Sequence, residues 1–123
     1  MKRLGLPGPG AVTEAMHASA STQTITGAGA VTVATRQVNI TGGAGFAITL
    51  AAPTAAEVGV VKIINLTSIS SNAVTMALTQ VVGGTAASSA SFDTAGEALV
   101  LVGSTNAAAL KWMVLKEHGV TLS

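Results

Sequence analysis

GEALVLVGSTNAAALKWMVLKEHGVTLS, residues Gly96–Ser123, contains two apolar runs, Ala98–Val102 and Leu110–Leu115, with a stretch of Gly, Ser, Thr, Asn and Ala between them. Each run is short and rich in Val and Leu, which reads as a pair of β-strands joined by a loop. Neither run alternates apolar with polar residues, as a strand with one wet face does. Both faces therefore need cover. One is expected to pack on a facing sheet of the same subunit, and the other to meet a loop, an N-terminal arm or another subunit. Trp112, the only Trp, lies in the second run, between Lys111 and Lys116, which bracket it. Trp112, Leu99, Leu101 and Val114 are the expected anchors of the core or of an interface.

Upstream of this pair the chain is a succession of short β-like pieces punctuated by Gly and Ser. Thr22–Thr26, Ala30–Thr35 and Arg36–Thr41 are rich in Thr and Val, with Gly27-Ala28-Gly29 after the first and Gly42-Gly43-Ala44-Gly45 after the third. Phe46–Leu50 alternates, with Phe46, Ile48 and Leu50 on one side. A connection with one helical turn starting at Pro53 leads to Gly59–Leu66, where Val61 and Ile63 share one face and Ile64, Leu66 and Lys62 the other. Ala73–Thr79 alternates again, with Val74, Met76 and Leu78 inward, and a small-residue loop or poor edge strand follows. Seven to nine such strands at intervals of about ten residues predict an all-β fold, a small antiparallel β-sandwich or jelly-roll-like barrel. Helical periodicity is essentially missing.

Met1–Ala20 reads differently. Gly5-Leu6-Pro7-Gly8-Pro9-Gly10 cannot form a helix. The same residues interrupt the apolar centre that a secretory signal would need, despite Lys2, Arg3 and an Ala18-Ser19-Ala20 resembling a cleavage site. The expected organisation is an extended N-terminal arm over residues 1–20 and a β-sandwich domain over residues 21–123. Leu4, Leu6, Pro7, Pro9, Val12 and Met16 are the arm's candidate partner contacts, being out of place in a purely solvated tail.

Composition restricts function more than it assigns it. With 123 residues, one domain is expected. Only 9% of residues are charged and 49% are hydrophobic, so either neutral Ser, Thr and Gly cover the surface or much of it is buried against other subunits, the second being the favoured expectation. A formal charge of +1 offers no basic footprint for nucleic acid. No apolar run is long enough to span a membrane. There is no Cys, and His17 and His118 lie near opposite ends of the chain, so no metal site is expected. Asp93 and Glu97 are close enough in sequence for acid–base work, yet no His, Lys or Arg adjoins them, and a turn is the better reading. No Ser stands in a nucleophile elbow. The Gly clusters open strands, whereas phosphate loops open helices. Neither catalysis nor a cofactor is expected. Phe46, Phe92 and Trp112, the only aromatics, are assigned to the core and not to stacking on a ligand.

The order of elements from Phe46 onward resembles a module of tailed-phage virion proteins, notably capsid decoration (cement) proteins and tail-fibre tips. The resemblance rests on Phe46–Leu50, the Pro- and Ala-rich bend, Gly59–Leu66, the Val-Thr strand, Gly83-Gly84-Thr85, Phe92-Asp93, Gly96–Leu101 and Lys111–Leu115 before Gly119-Val120. Residues before Phe46 take no part in it. It implies a structural subunit, often a homotrimer, made in the host cytoplasm and bound to the major capsid protein on the outer surface of the virion. The arm would reach a neighbour. No nucleic-acid or membrane partner is implied. A fibre tip, baseplate or head–tail component, or a surface- or glycan-binding β-module, are the alternatives; the lack of a repetitive shaft favours the decoration protein.

Overall fold

The structure is a computed structural model and describes residues 22–42, 44–82, 88–106 and 108–123. The chain is all-β, with eleven strands among the described residues and a single 3-10 turn at Ala55–Glu57. The strands are β1 (Thr22–Ile25), β2 (Gly29–Val31), β3 (Gln37–Thr41), β4 (Ala47–Leu50), β5 (Val61–Ser68) and β6 (Val74–Ala77). They continue as β7 (Val81–Val82), β8 (Ser89–Phe92), β9 (Ala98–Asn106), β10 (Ala109–His118) and β11 (Thr121–Leu122). Two sheets pack face to face as a small sandwich, one of six strands in the order β1-β3-β5-β9-β10-β7 and one of five in the order β11-β8-β6-β4-β2.

The strand directions depart from the antiparallel, jelly-roll-like expectation. β1, β3 and β5 run parallel in the first sheet, and β2, β4 and β6 run parallel in the second. From β1 to β6 the chain crosses to the opposite sheet after every strand. A return to the first sheet then lands parallel to the strand left behind, with the intervening strand serving as the crossover that parallel pairing requires. Antiparallel pairing prevails in the second half, where β9 joins β5 and β10 and where β8 joins β6 and β11, while β7 pairs parallel to β10. Gly-punctuated links between short strands look alike in sequence whether they fold the chain back within a sheet or pass it across, so pairing direction was not readable from them.

The second departure lies in the final strand pair. Gly103–Asn106, expected as a loop, continues β9, and β10 begins already at Ala109. Gly103 is there for close approach and not for a turn. A Cβ on it would lie 2.0 Å from the Glu57 carbonyl oxygen. Gly59 donates its amide to the Gly103 carbonyl at 2.8 Å, and Gly103 donates its own to Val60 at 3.1 Å. A hook of chain from Thr54 to Val60 thus docks on β9. Its turn is closed by a capping box, in which the Thr54 hydroxyl accepts from the backbone amides of the turn, Ala56 N among them at 3.3 Å, and the Glu57 carboxylate accepts from the Thr54 amide at 2.8 Å; the Thr54 hydroxyl also donates to that carboxylate.

The core lies between the sheets, formed by the inward half of each alternating strand. Val38, Ile40, Ile64, Leu66, Leu99, Leu101 and Trp112 come from the six-stranded sheet, and Ile48, Val74, Met76, Ala90 and Phe92 from the five-stranded one. Phe46 and Val114 are half-buried against this cluster. One open edge is stitched by Gln23 of β1, whose amide donates to Ala30 O at 3.1 Å and whose Oε1 accepts from Thr32 N at 2.8 Å. β11, which the sequence reading did not include, adds an edge to β8, and the Ser123 carbonyl accepts from the Ser88 and Ser89 amides.

Candidate functional site

The two sheets turn very different faces outward. On the five-stranded sheet the outward positions are Ala30, Ala47, Thr49, Thr75, Ala77, Ser89, Ser91 and Thr121. No side chain there is larger than Thr. On the six-stranded sheet the outward positions divide into two zones. Thr22 and Thr24 of β1, Gln37, Asn39 and Thr41 of β3, and Asn65 and Thr67 of β5 make a polar zone, partly self-bonded through Gln37 to Asn39 at 3.1 Å and Thr41 to Thr67 at 2.7 Å. Beyond it lies an aliphatic zone built on β5, β9, β10 and β7.

Register explains how that zone forms. Val61 pairs with Val102, which pairs with Met113, which pairs with Val82, so one row across four strands is wholly aliphatic. The next row sets Gln37, Ile63, Val100 and Lys116 side by side. A shift in register between Val114 and Lys116 leaves Leu115 as an extra residue in β10, and it stands 54% exposed. Val61, Ile63 and Met113 are 42%, 38% and 39% exposed. Val58, on the docked hook, is also exposed. Residues of this size are worth about 1.5–3 kcal/mol each when fully buried; with more than half of most of them already covered, further cover is worth on the order of 1 kcal/mol apiece.

Beneath this zone the inward side holds the bulkiest part of the core. Trp112 is fully buried, and its indole Nε1 donates to Ala51 O at 2.9 Å. Lys62 is also fully buried, directed inward by the same alternation that turns Val61 and Ile63 out. Its ammonium donates to Thr32 O at 2.9 Å, to Thr35 O, and to the Thr35 hydroxyl at 3.4 Å, and lies 5.3 Å from the centre of the Trp112 ring. Burial pulls the Lys62 ammonium down from 10.5 to about 8, and the Glu57 carboxylate works weakly against that shift. The hydroxyl and amide of Thr54 hold Glu57 itself below its ordinary value. Lys62 thus ties the β2–β3 link to β5. The alternation of Gly59–Leu66 put Lys62 on the same face as Ile64 and Leu66, but nothing in the sequence revealed that its partners would be backbone carbonyls about thirty residues away.

The other residues singled out in the sequence lie in a turn, on strands or in the core where they are described. Glu97 accepts from the Asp93 and Thr94 amides at 2.7 and 3.2 Å, which closes the turn into β9. Asp93 accepts from the Thr94 hydroxyl at 3.0 Å. His118 is exposed at the end of β10. Lys111 is half-buried and donates to Thr79 O and Gln80 Oε1, and Lys116 is exposed. Leu99, Leu101 and Trp112 face the core, with Val114 half-buried beside them. The arm residues Leu4, Leu6, Pro7, Pro9, Val12 and Met16, and His17, lie outside the described residues. Among the described residues no three His, Asp or Glu side chains meet in a metal-binding group. No helix among them is long and apolar enough to cross a membrane.

No family model, curated protein or solved structure gives a significant match to the chain. Its function is therefore argued from its surfaces.

Proposed function

We propose that the protein is a structural virion subunit, a capsid decoration protein that assembles as a homo-oligomer, a trimer by the resemblance, and binds the major capsid protein on the outer head surface. The observation that carries this reading is the aliphatic zone on β5, β9, β10 and β7, where Val61, Ile63, Met113 and Leu115 stand exposed among the described residues. Contiguous exposed apolar surface on a small chain marks contact with another protein, and a chain with so few charges has little else to keep it apart from copies of itself. The aliphatic zone serves contacts between subunits. The arm tip, with Leu4, Leu6, Pro7 and Pro9, serves the capsid.

The test has two arms. Purified protein added to phage heads lacking it should co-sediment in many copies per head, and deleting Met1–Ala20 should weaken that binding or abolish it. Co-sedimentation in only a few copies would point to a tail or head–tail part, and no head binding would defeat the reading. Binding should change little with salt, since few charges are present to be screened; a steep loss from low to moderate salt would contradict the apolar character of the contact.

A further inference from the structure

Met113 stands inside the outward aliphatic row, between Val102 on β9 and Val82 on β7, with Val61 beyond Val102. It is 39% exposed, whereas Met76 is fully buried. Its thioether is the one group in that row that a mild oxidant attacks, and the chain has no Cys to compete for it. We propose that Met113 is an oxidation site that gates assembly: its sulfoxide, formed on a free subunit by a peroxide, keeps the aliphatic zone from being covered by a second copy. The inference rests on the reading of this zone as the contact between copies.

In the step itself a sulfur lone pair attacks one peroxide oxygen. The S–O bond forms, the O–O bond breaks and, with hydrogen peroxide, water leaves. Sulfur is oxidised by two electrons and the peroxide is reduced by two. The product exchanges a soft apolar group for a polar one that accepts hydrogen bonds. The surroundings decide the consequence. Val61, Val82 and Val102 have no side-chain donor to offer the new oxygen. Lys111, two residues before Met113 on β10, already directs its ammonium to Thr79 O at 3.0 Å and Gln80 Oε1 at 3.1 Å. In the free subunit, water solvates the sulfoxide. Under a covering apolar surface it is buried without a partner, and that desolvation opposes association. The fold itself is spared, because Met113 faces outward while Trp112 beside it is fully buried in the core. Met76, inside that core, reacts only when the fold opens.

The test treats the full-length protein with hydrogen peroxide in dilute solution, locates the sulfoxides by peptide mass mapping, removes the peroxide, and measures association by light scattering over a concentration series. Met113 should convert at least about tenfold faster than Met76, and the converted protein should associate at least about tenfold more weakly than the untreated parent. M113L, which still carries Met1, Met16 and Met76, should associate equally well before and after the same treatment. M113Q, which brings a polar group of similar length without any oxidant, should associate as weakly as the oxidised parent. Undiminished association with Met113 fully converted, M113Q associating like the parent, an equal loss in oxidised M113L, or Met113 converting no faster than Met76 would each overturn the proposal. A parent that is monomeric before peroxide is added would defeat the contact reading itself, and this inference with it.

Discussion

The two outer faces of this sandwich have the same construction and opposite chemistry. Each is the outward half of a set of alternating strands. The five-stranded sheet spends those positions on Ala, Ser and Thr, whereas the six-stranded sheet places Val, Ile, Met and Leu there on four adjacent strands. The first face is small and neutral, and solvates without penalty. The second keeps large side chains partly in water beside a core that already contains the only Trp. The comparison teaches that the low charge of the chain is not spread evenly in its consequences: one face carries only small neutral side chains, and the other leaves large aliphatic ones partly exposed.

The largest effect that sharpens this comparison is on the core under each face. Trp112→Ala, beneath the aliphatic zone, and Phe92→Ala, beneath the neutral face, should each lower the stability by about 3–5 kcal/mol in denaturant melts. Trp112→Ala melting like the parent would show that the aliphatic zone does not depend on the core beneath it. Next is the rim of that zone. Gly103→Ala sets a Cβ against the Glu57 carbonyl and should displace the hook carrying Val58, at a cost of about 1–3 kcal/mol. Unchanged stability would mean that the hook gives way freely.

The buried cation beneath the aliphatic zone makes a pH prediction. Lys62 has a folded value of about 8 against an ordinary 10.5. Below about pH 8 it is protonated both folded and unfolded, and its desolvation penalty is fully present. Between about pH 8 and 10.5 the unfolded chain binds more protons than the folded one, so stability should rise with pH through that window, by on the order of 1–3 kcal/mol. Lys62→Met should remove the rise. A parent whose stability is flat or falls across the window would show that the Thr32 and Thr35 carbonyls compensate the ammonium fully.

Much of the fold was readable because alternation is a local signal. Phe46–Leu50 and Gly59–Leu66 each divided their residues between two faces as the structure does, and Ala73–Thr79 placed Val74, Met76 and Leu78 inward, since a period of two depends only on neighbours. Pairing direction was not readable, because whether the chain after Ile25 turns back within its sheet or crosses to the other is decided by long-range packing. Gly103 was read as a loop residue for a related reason. A glycine required by a backbone lying over it looks the same in sequence as one required by a turn. The aliphatic zone was half legible. The missing alternation of Ala98–Val102 and Leu110–Leu115 signalled a second face in need of cover, but its union with Val61 and Ile63 rests on β5 lying next to β9, a contact between residues far apart in the chain.

The smallest effect on stability accompanies the most direct test. Lys substitutions at exposed strand positions should shift stability by no more than about 0.5 kcal/mol on either face. Their effect on assembly should differ entirely. Light scattering on the parent should give an oligomer, a trimer by the resemblance, of the 12.0 kDa chain. The Met113→Lys, Leu115→Lys double variant should fall to the mass of one chain, while the Thr49→Lys, Thr75→Lys double variant should keep the parent's mass. A monomeric parent, or an aliphatic-face variant that keeps the parent's mass, would contradict the account.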